Sequence, residues 1–160
     1  MFKLMGIPVK LKDIVEEMGT QFDDSYLFLN KTTGEIVYVT SEELRAAEEE
    51  EESYDDIPQW MLESRSTAID ILENHSNYVE LPTKFDIHEY RIIEDFCFSI
   101  SDEEVRDSLF NAIKRKGAFR RFKDQIMYFG IAEQWYSYRD ERFKQIAKRW
   151  CQDYDIEFIE

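Results

Sequence analysis

The sequence predicts a single α+β domain over residues 1–160, with a small N-terminal β-hairpin region, short additional strands and a predominantly helical C-terminal half. Two runs rich in aromatic and β-branched residues, SYLFLN and EIVYVT, flank the tetrapeptide KTTG, and this pattern is typical of a hairpin. From residue 86 onward, apolar residues recur at helical spacing almost to the C terminus. A chain of 160 residues that is 43% hydrophobic can bury a core without disulfide bonds.

The first elements are a short helix and the hairpin. Helical spacing within VKLKDIVEEM predicts a helix that ends at Gly19. Its apolar residues are Leu11, Ile14, Val15 and Met18. The hairpin is expected over residues 25–40, because Gly34 accepts the positive φ that a hairpin loop often requires.

An acidic segment follows the hairpin and contains five consecutive glutamates, residues 48–52. Ser41 is expected to cap the helix that leads into it. We interpret residues 48–56 as an acidic, exposed linker or frayed helix, because like charges at i,i+4 repel one another. An acidic tail that binds a basic partner is the alternative interpretation.

A further helix is expected to begin at Asp56, with Pro58 in its first turn. This helix is predicted to end near Asn74. Its inward side is expected to hold Met61, Ala68 and Leu72. The segment NYVELP then predicts a short strand that Pro82 closes.

Two capping boxes predict the next two helices. Asp86 with Glu89 is expected to begin the first helix. Ser101 with Glu104 is expected to begin the second, which ends at Gly117. The inward stripe of the first is Tyr90, Ile93, Cys97 and Ile100. The inward stripe of the second is Val105, Leu109, Ala112 and Ile113.

The last two helices complete the predicted C-terminal half. A helix over residues 118–129 is expected to bury a stripe spaced by 3, 4 and 3 residues: Phe119, Phe122, Ile126 and Phe129. In the final helix we favour a break near Asp140. An unbroken helix would place Arg139 among aromatic residues, where it needs a carboxylate or an aromatic face. The terminal residues IEFI predict a short strand.

The formal net charge of −15 is distributed unevenly along the chain. Residues 1–113 hold 9 Lys and Arg against 27 Asp and Glu, whereas residues 114–149 hold 11 against 4. The densest basic stretch has six Lys and Arg in ten positions, 114–123. Cations at the end of a helix suit its macrodipole, but this explains only part of the cluster. The candidate binding residues are Arg120, Arg121, Lys123, Asp124 as an ion-pair partner, and Arg139.

Several partners suit this basic cluster. Its cations can pair with carboxylates of the chain's own acidic half or of an unknown acidic protein. Nucleic acid is an alternative, since arginine matches phosphate oxygens, although the net charge opposes a polyanion and no nucleic-acid motif is present. An enzyme with an anion-binding site is the remaining alternative. We favour a non-enzymatic interaction module that uses the basic surface around residues 114–123.

The sequence has no phosphate loop, nucleophile elbow or zinc-ligand spacing, so no catalytic residue, metal ligand or cofactor is expected. His75 and His88 are interpreted as surface residues. Cys97 and Cys151 are interpreted as small buried hydrophobic residues. No apolar run has the length of a signal peptide or a membrane span. Cysteine usage favours a cytoplasmic location.

The segment AIKRKGAFRRFKD, followed by EQWYSYRDERFKQIAKRWCQDYDIE, resembles a bacterial family of uncharacterised proteins of the UPF type. That family is marked by a Gly-Ala-Phe-Arg-Arg-Phe-Lys-Asp core, which corresponds to residues 117–124 here, followed by tryptophans that match Trp135 and Trp150. The segments TGEIVYV and YVELP also look like family segments. The resemblance implies a small, soluble bacterial protein and no particular activity.

Overall fold

The structure, a computed structural model, describes residues 8–49 and 58–160. Within these residues the strands are concentrated toward the N terminus and helices dominate the C-terminal half, which confirms the predicted α+β class. Contacts divide the chain into two compact units. We call them the sheet unit, residues up to 83 together with 147–160, and the helical unit, residues 84–146. The organisation as one domain stays a prediction.

The sheet unit begins with β1 (Val9–Lys10) and α1 (Leu11–Met18). The helix ends beside Gly19, as predicted, and it buries Leu11, Ile14 and Met18. β1 pairs in parallel with a strand at the opposite end of the chain, Phe158–Ile159, which confirms the strand expected at IEFI. This pairing places segments that are far apart in sequence in one two-stranded sheet.

The predicted hairpin is confirmed. β2 (Ser25–Asn30) pairs antiparallel with β3 (Ile36–Thr40), and Gly34 in the loop has a φ of 76°. A third strand, β4 (Tyr78–Glu80), pairs antiparallel with the other edge of β2. The buried residues of the hairpin lie on both faces of the sheet, with Leu27 and Leu29 on one face and Val39, which pairs with Tyr26, on the other.

Two helices, α2 (Ser41–Glu49) and α3 (Gln59–Glu73), pack against each other and against β3. The buried residues of this cluster are Val39, Ala68 and Ile71. The end of α3 next to Asn74 was predicted correctly. The predicted inward side was partly wrong, because Leu72 is exposed and its neighbour Ile71 is buried instead.

The start of α2 differs from the prediction by one residue. The hydroxyl Oγ1 of Thr40, not the side chain of Ser41, accepts a hydrogen bond from the backbone N–H of Glu43 at 3.1 Å. Thr40 is the last residue of β3, so it already has the extended backbone that a helix cap requires. Pro58, expected in the first turn of α3, is instead the residue before it, because α3 begins at Gln59. Asp56 itself lies outside the described residues, as does the linker expected over residues 48–56 apart from the two glutamates that end α2.

A buried ion pair joins α3 to α2. Arg65 is 6% exposed, and its Nε donates to Glu43 Oε2 at 2.8 Å. The sequence pattern did not predict this pair, because an arginine on a helix of mixed composition normally lies in solvent. Removing Arg65 would leave the largely buried carboxylate of Glu43 without this partner, which is costly.

A polar network around Tyr78 joins β4 to α3 and β2. The Tyr78 hydroxyl donates a short hydrogen bond to Asp70 Oδ2, and Asn74 Nδ2 donates to Asp70 Oδ1 at 2.7 Å. Asn30 Nδ2 donates to the Tyr78 hydroxyl at 3.3 Å. Burial, with the nearby carboxylate, raises the pKa of Tyr78 to about 12. Hydrogen bonds from Tyr78 and then Asn74 lower the pKa of Asp70.

The helical unit is built from five helices: α4 (Lys84–Ile87), α5 (Glu89–Ser99), α6 (Glu103–Ile113), α7 (Ala118–Tyr128) and the part of α8 (Ala132–Asp153) up to residue 146. At its centre Phe122 packs edge-on against Phe96 and Trp135, with ring centroids 6.0 and 4.9 Å away. Aromatic pairs prefer this arrangement. α8 is continuous through Asp140, so the break that we favoured there was wrong.

Both predicted capping boxes were misplaced. Asp102, one residue beyond Ser101, caps α6, and its Oδ1 accepts from the backbone N–H of Val105 at 3.1 Å. Asp86 lies inside the short α4, and α5 begins after His88, whose backbone is left-handed with a φ of 52°. Tyr90, expected in the core, is exposed because the buried side of α5 is formed by Ile92, Ile93, Phe96 and Cys97, and Tyr90 lies beyond its edge.

None of the helices in the described ranges combines the length and the apolar character that crossing a membrane requires. The thiols of Cys97 and Cys151 are free and buried, as expected for both cysteines. Burial raises the pKa of Cys97 to about 12 and that of Cys151 to about 11. Both cysteines are therefore neutral thiols near neutral pH.

Candidate functional site

The basic cluster lies on a helical hairpin formed by α6 and α7. α6 ends at Ile113, and α7 begins directly after Gly117. Gly117 was expected to end α6, but it instead precedes the first residue of α7 with a φ of 85°. A side chain there would be strained by this backbone, and its Cβ would lie 3.0 Å from Nη1 of Arg121. Glycine is therefore strongly favoured at this turn.

Arg121 uses its guanidinium within the hairpin. Its Nε, Nη2 and Nη1 donate to the carbonyl oxygens of Ala112, Arg115 and Lys116 respectively, each at 2.7 Å. These carbonyls belong to the end of α6 and the turn that follows, where a helix leaves its last carbonyls unpaired. Arg121, a predicted binding residue, thus caps the preceding helix.

Arg120 and Lys123 have a different environment. Both side chains are exposed, and within the described ranges neither one forms an ion pair. The ion pair that we considered between Asp124 and the arginines at 120 and 121 is likewise absent from these ranges. The charges of Arg120 and Lys123 are therefore available to solvent.

The apolar side of α7 is narrower than predicted. Phe122 and Ile126 are each 1% exposed, as expected for core residues, and Phe129 is half-buried. Phe119 was predicted to be buried but is 47% exposed. On a helical wheel with 100° per residue, Phe122 and Ile126 lie about 60° and 20° from Phe119, both in the same direction. The centre of the buried side of α7 therefore lies away from Phe119.

An exposed apolar residue accompanies Phe119 on α7. Met127 is 73% exposed, and it lies two turns after Phe119. We use the name α7 face for four exposed residues of this helix: Phe119, Arg120, Lys123 and Met127. The α7 face therefore combines two cations with two apolar side chains on one helix.

Arg139 is paired within the helical unit. Because α8 is unbroken, Arg139 needed a carboxylate or an aromatic face, and it has both. Its Nε donates to Glu89 Oε1 at 2.8 Å, and its guanidinium carbon lies 4.2 Å from the centroid of the Phe143 ring. Arg139 is therefore engaged by Glu89 and is not a member of the α7 face.

A second arginine of α8, which sequence reasoning missed, has a similar environment. Arg142 Nη1 donates to Asp95 Oδ2 at 2.8 Å and to the Tyr138 hydroxyl at 3.0 Å. The hydrogen bond to Asp95 raises the pKa of Arg142. The i,i+4 spacing of Tyr138 and Arg142 is visible in the sequence, but the partner on α5 is 47 residues away.

An acidic depression of about 420 Å³ lies in the sheet unit. Its lining includes Asp13, Glu16, Glu17 and Glu35, together with Gly34. No group of three or more histidine, cysteine or acidic side chains in residues 8–49 and 58–160 is arranged to hold a metal ion. The depression therefore adds negative surface to the sheet unit without forming a metal centre.

The UPF0158 model, described as an uncharacterised protein family, matches residues 6–160. The chain belongs to this family. A relative, the UPF0158 protein PA5073 of Pseudomonas aeruginosa, is 30% identical to the chain over 67 residues. This segment covers 41% of the chain and 44% of the relative, so the chain matches less than half the length of that protein. No solved structure matches the chain.

Proposed function

We propose that the protein is a non-enzymatic interaction module of the bacterial cytoplasm that binds an acidic protein through the α7 face. The observation that carries this proposal is the exposure of Arg120 and Lys123 without a carboxylate partner among the described residues. In a chain with a net charge of −15, such cations act on a ligand only at short range, because salt screens charges beyond about 8 Å.

The apolar residues of the α7 face favour a protein over a nucleic acid. Phosphate contacts engage the cations alone, and Phe119 is the one aromatic ring among the four residues of the α7 face, whereas a stacking platform presents rings for successive bases. Met127 offers a flexible thioether, which is common at protein-binding surfaces.

The proposal of binding rather than catalysis is supported by the use of Arg121 and Arg139 within the fold. Arg121 donates to three backbone carbonyls, and Arg139 pairs with Glu89. An anion site that required either guanidinium would have to break these contacts. We also propose that residues 117–124 mark the family because they build the hairpin turn, with Gly117 at the turn and Arg121 as the cap of α6.

A charge-reversal comparison tests the proposed function. The tagged full chain, its R120E/K123E variant and a K12E/R149E control would each capture partners from a bacterial extract, with identification by mass spectrometry. Lys12 and Arg149 are exposed and lie outside the basic cluster, so the control changes the net charge equally. We expect an acidic protein to bind the wild type and the control, and to bind R120E/K123E at least tenfold more weakly when purified.

The result that would overturn the proposal is equal binding of the partner by the wild type and R120E/K123E, with circular dichroism showing that both are folded. Anisotropy titrations with labelled RNA and DNA at two salt concentrations address the alternative. Salt-sensitive binding of a nucleic acid at micromolar protein, lost in R120E/K123E, would replace the acidic protein as the partner.

A further inference from the structure

We infer that the segment bound at the α7 face is an amphipathic acidic helix, which places carboxylates on Arg120 and Lys123 and covers Phe119 and Met127 with apolar side chains. This inference rests on the proposed function and adds the chemistry of the partner. It depends on the combination of charge and apolar surface along a single helix, since neither property alone specifies such a segment.

The spacing of the residues supports this assignment. Phe119, Lys123 and Met127 are separated by four residues each, so they lie on the same side of α7 on successive turns. At about 1.5 Å per residue, this row is about 12 Å long. Arg120 lies beside the row, seven residues before Met127. The α7 face is thus an apolar–cationic–apolar row of about two helical turns.

Two simpler partners leave part of this surface unsatisfied. A strongly acidic segment without apolar residues neutralises Arg120 and Lys123 but leaves Phe119 and Met127 in water. A purely apolar segment covers these two residues but desolvates both cations without a counter-charge, which is costly. A helix with apolar residues about two turns apart and carboxylates between them satisfies all four positions.

A second copy of this chain is a less favourable occupant. In a symmetric dimer, the cations of the α7 face on one copy would meet the same cations on the other, because a twofold interface uses the same surface on both subunits. An acidic partner has the opposite charge to the α7 face.

Three labelled synthetic peptides of about 15 residues would test the inference. The first is a glutamate-rich helix with leucines on one side, the second replaces every leucine by alanine, and the third scrambles the leucine positions. Fluorescence anisotropy would measure their binding to the full chain. We expect the first peptide to bind at least tenfold more tightly than the other two, because removal of apolar anchor residues typically weakens binding by this amount.

Matched variants separate the two contributions. F119S/M127S is expected to reduce binding of the first peptide to the level of the second, because it removes the apolar contacts from exposed positions. R120Q/K123Q is expected to weaken the binding of both the first and the second peptide, because both carry the carboxylates. The control K12Q/R149Q is expected to change neither. Circular dichroism establishes that each variant is folded before its binding is interpreted.

Each outcome has a defined consequence. If the first two peptides bind equally well and R120Q/K123Q weakens both, the inference fails but the proposed function stands. If no peptide binds while a captured acidic protein still depends on Arg120 and Lys123, the inference also fails and the proposed function stands. Peptide binding that does not change in R120Q/K123Q overturns both. Self-association lost in F119S/M127S, seen by sedimentation, would assign the surface to a second copy.

Discussion

The cations of α8 and those of α7 have different roles, although both helices belong to the helical unit. On α8, Arg139 and Arg142 donate to Glu89 and Asp95, two carboxylates on α5. On α7, Arg120 has no such partner in the described part of the chain, while its neighbour Arg121 caps α6. High local positive charge is therefore not sufficient evidence of a binding site, because neighbouring elements use some of the cations within the fold.

The largest expected contrast is between the buried and exposed phenylalanines of α7. Phe122→Ala should reduce the free energy of unfolding by about 3–5 kcal/mol, since it leaves a cavity beside Phe96 and Trp135. Phe119→Ala should change it by less than about 1 kcal/mol. Urea denaturation followed by circular dichroism measures both. Similar losses for the two variants would contradict the assignment of Phe119 to the surface.

A second contrast is between the two adjacent arginines. Arg121→Met should lower the free energy of unfolding by about 2–3 kcal/mol, because three carbonyls at the end of α6 and in the turn lose a charged donor. Arg120→Met should stay within about 0.5 kcal/mol of the wild type. The same denaturation experiment distinguishes them, and an equal effect at both positions would show that Arg121 is not a cap.

The turn itself provides a third comparison. Gly117→Ala should cost about 1–2 kcal/mol of unfolding free energy, because alanine is strained at a φ of 85° and its Cβ approaches Arg121. Gly130→Ala is the matched control, since that glycine also has a positive φ but its Cβ would meet nothing within 4 Å. A larger loss of unfolding free energy at Gly117 than at Gly130 measures the cost of the contact between the new Cβ and Arg121.

The ion pair of α8 should give a smaller effect. A double-mutant cycle with Arg139→Ala and Glu89→Ala should yield a coupling free energy of about 0.5–1 kcal/mol, as expected for a partly exposed pair. Chemical denaturation at low and high salt measures the coupling, which should decrease as salt screens the charges. A coupling free energy of zero would mean that the pairing of Arg139 with Glu89 contributes nothing to stability.

The smallest expected effect concerns the polar network of the sheet unit. The pKa of Asp70 is lower in the folded protein than in the unfolded chain, so its ionised form contributes stability above the unfolded pKa. That contribution is lost as the pH falls through the folded pKa. Asp70→Asn should therefore destabilise the protein at neutral pH but not below both pKa values. Denaturation midpoints of the wild type and Asp70→Asn across this pH range measure the difference in stability. A difference that does not change with pH would contradict this prediction.

Much of the fold was predictable because its signals are local. The hairpin of β2 and β3, the buried side of α1 and the ends of α1 and α3 depend on turn residues and apolar spacing within about ten residues of sequence. Even the short C-terminal strand was identified. Its parallel partner β1 was not, because that pairing joins opposite ends of the described chain.

The errors at helix starts have a common physical reason. At the starts of α2 and α6, two adjacent residues each had a side chain able to cap the helix, and backbone geometry selected Thr40 over Ser41 and Asp102 over Ser101. A sequence pattern does not contain the φ and ψ angles that decide between neighbours. The positions of the helices were therefore easier to predict than their first residues.

The sequence by itself determined the α+β class, the reversal of charge at residues 114–149 and the set of candidate cations. Only the tertiary structure decided their roles, because carboxylates, carbonyls and rings that are remote in sequence must be close in space to engage a side chain. Arg139 meets Glu89 across 50 residues of sequence, and Arg121 reaches back across the turn to the end of α6. Arg120 and Lys123 remain exposed beside Phe119 and Met127.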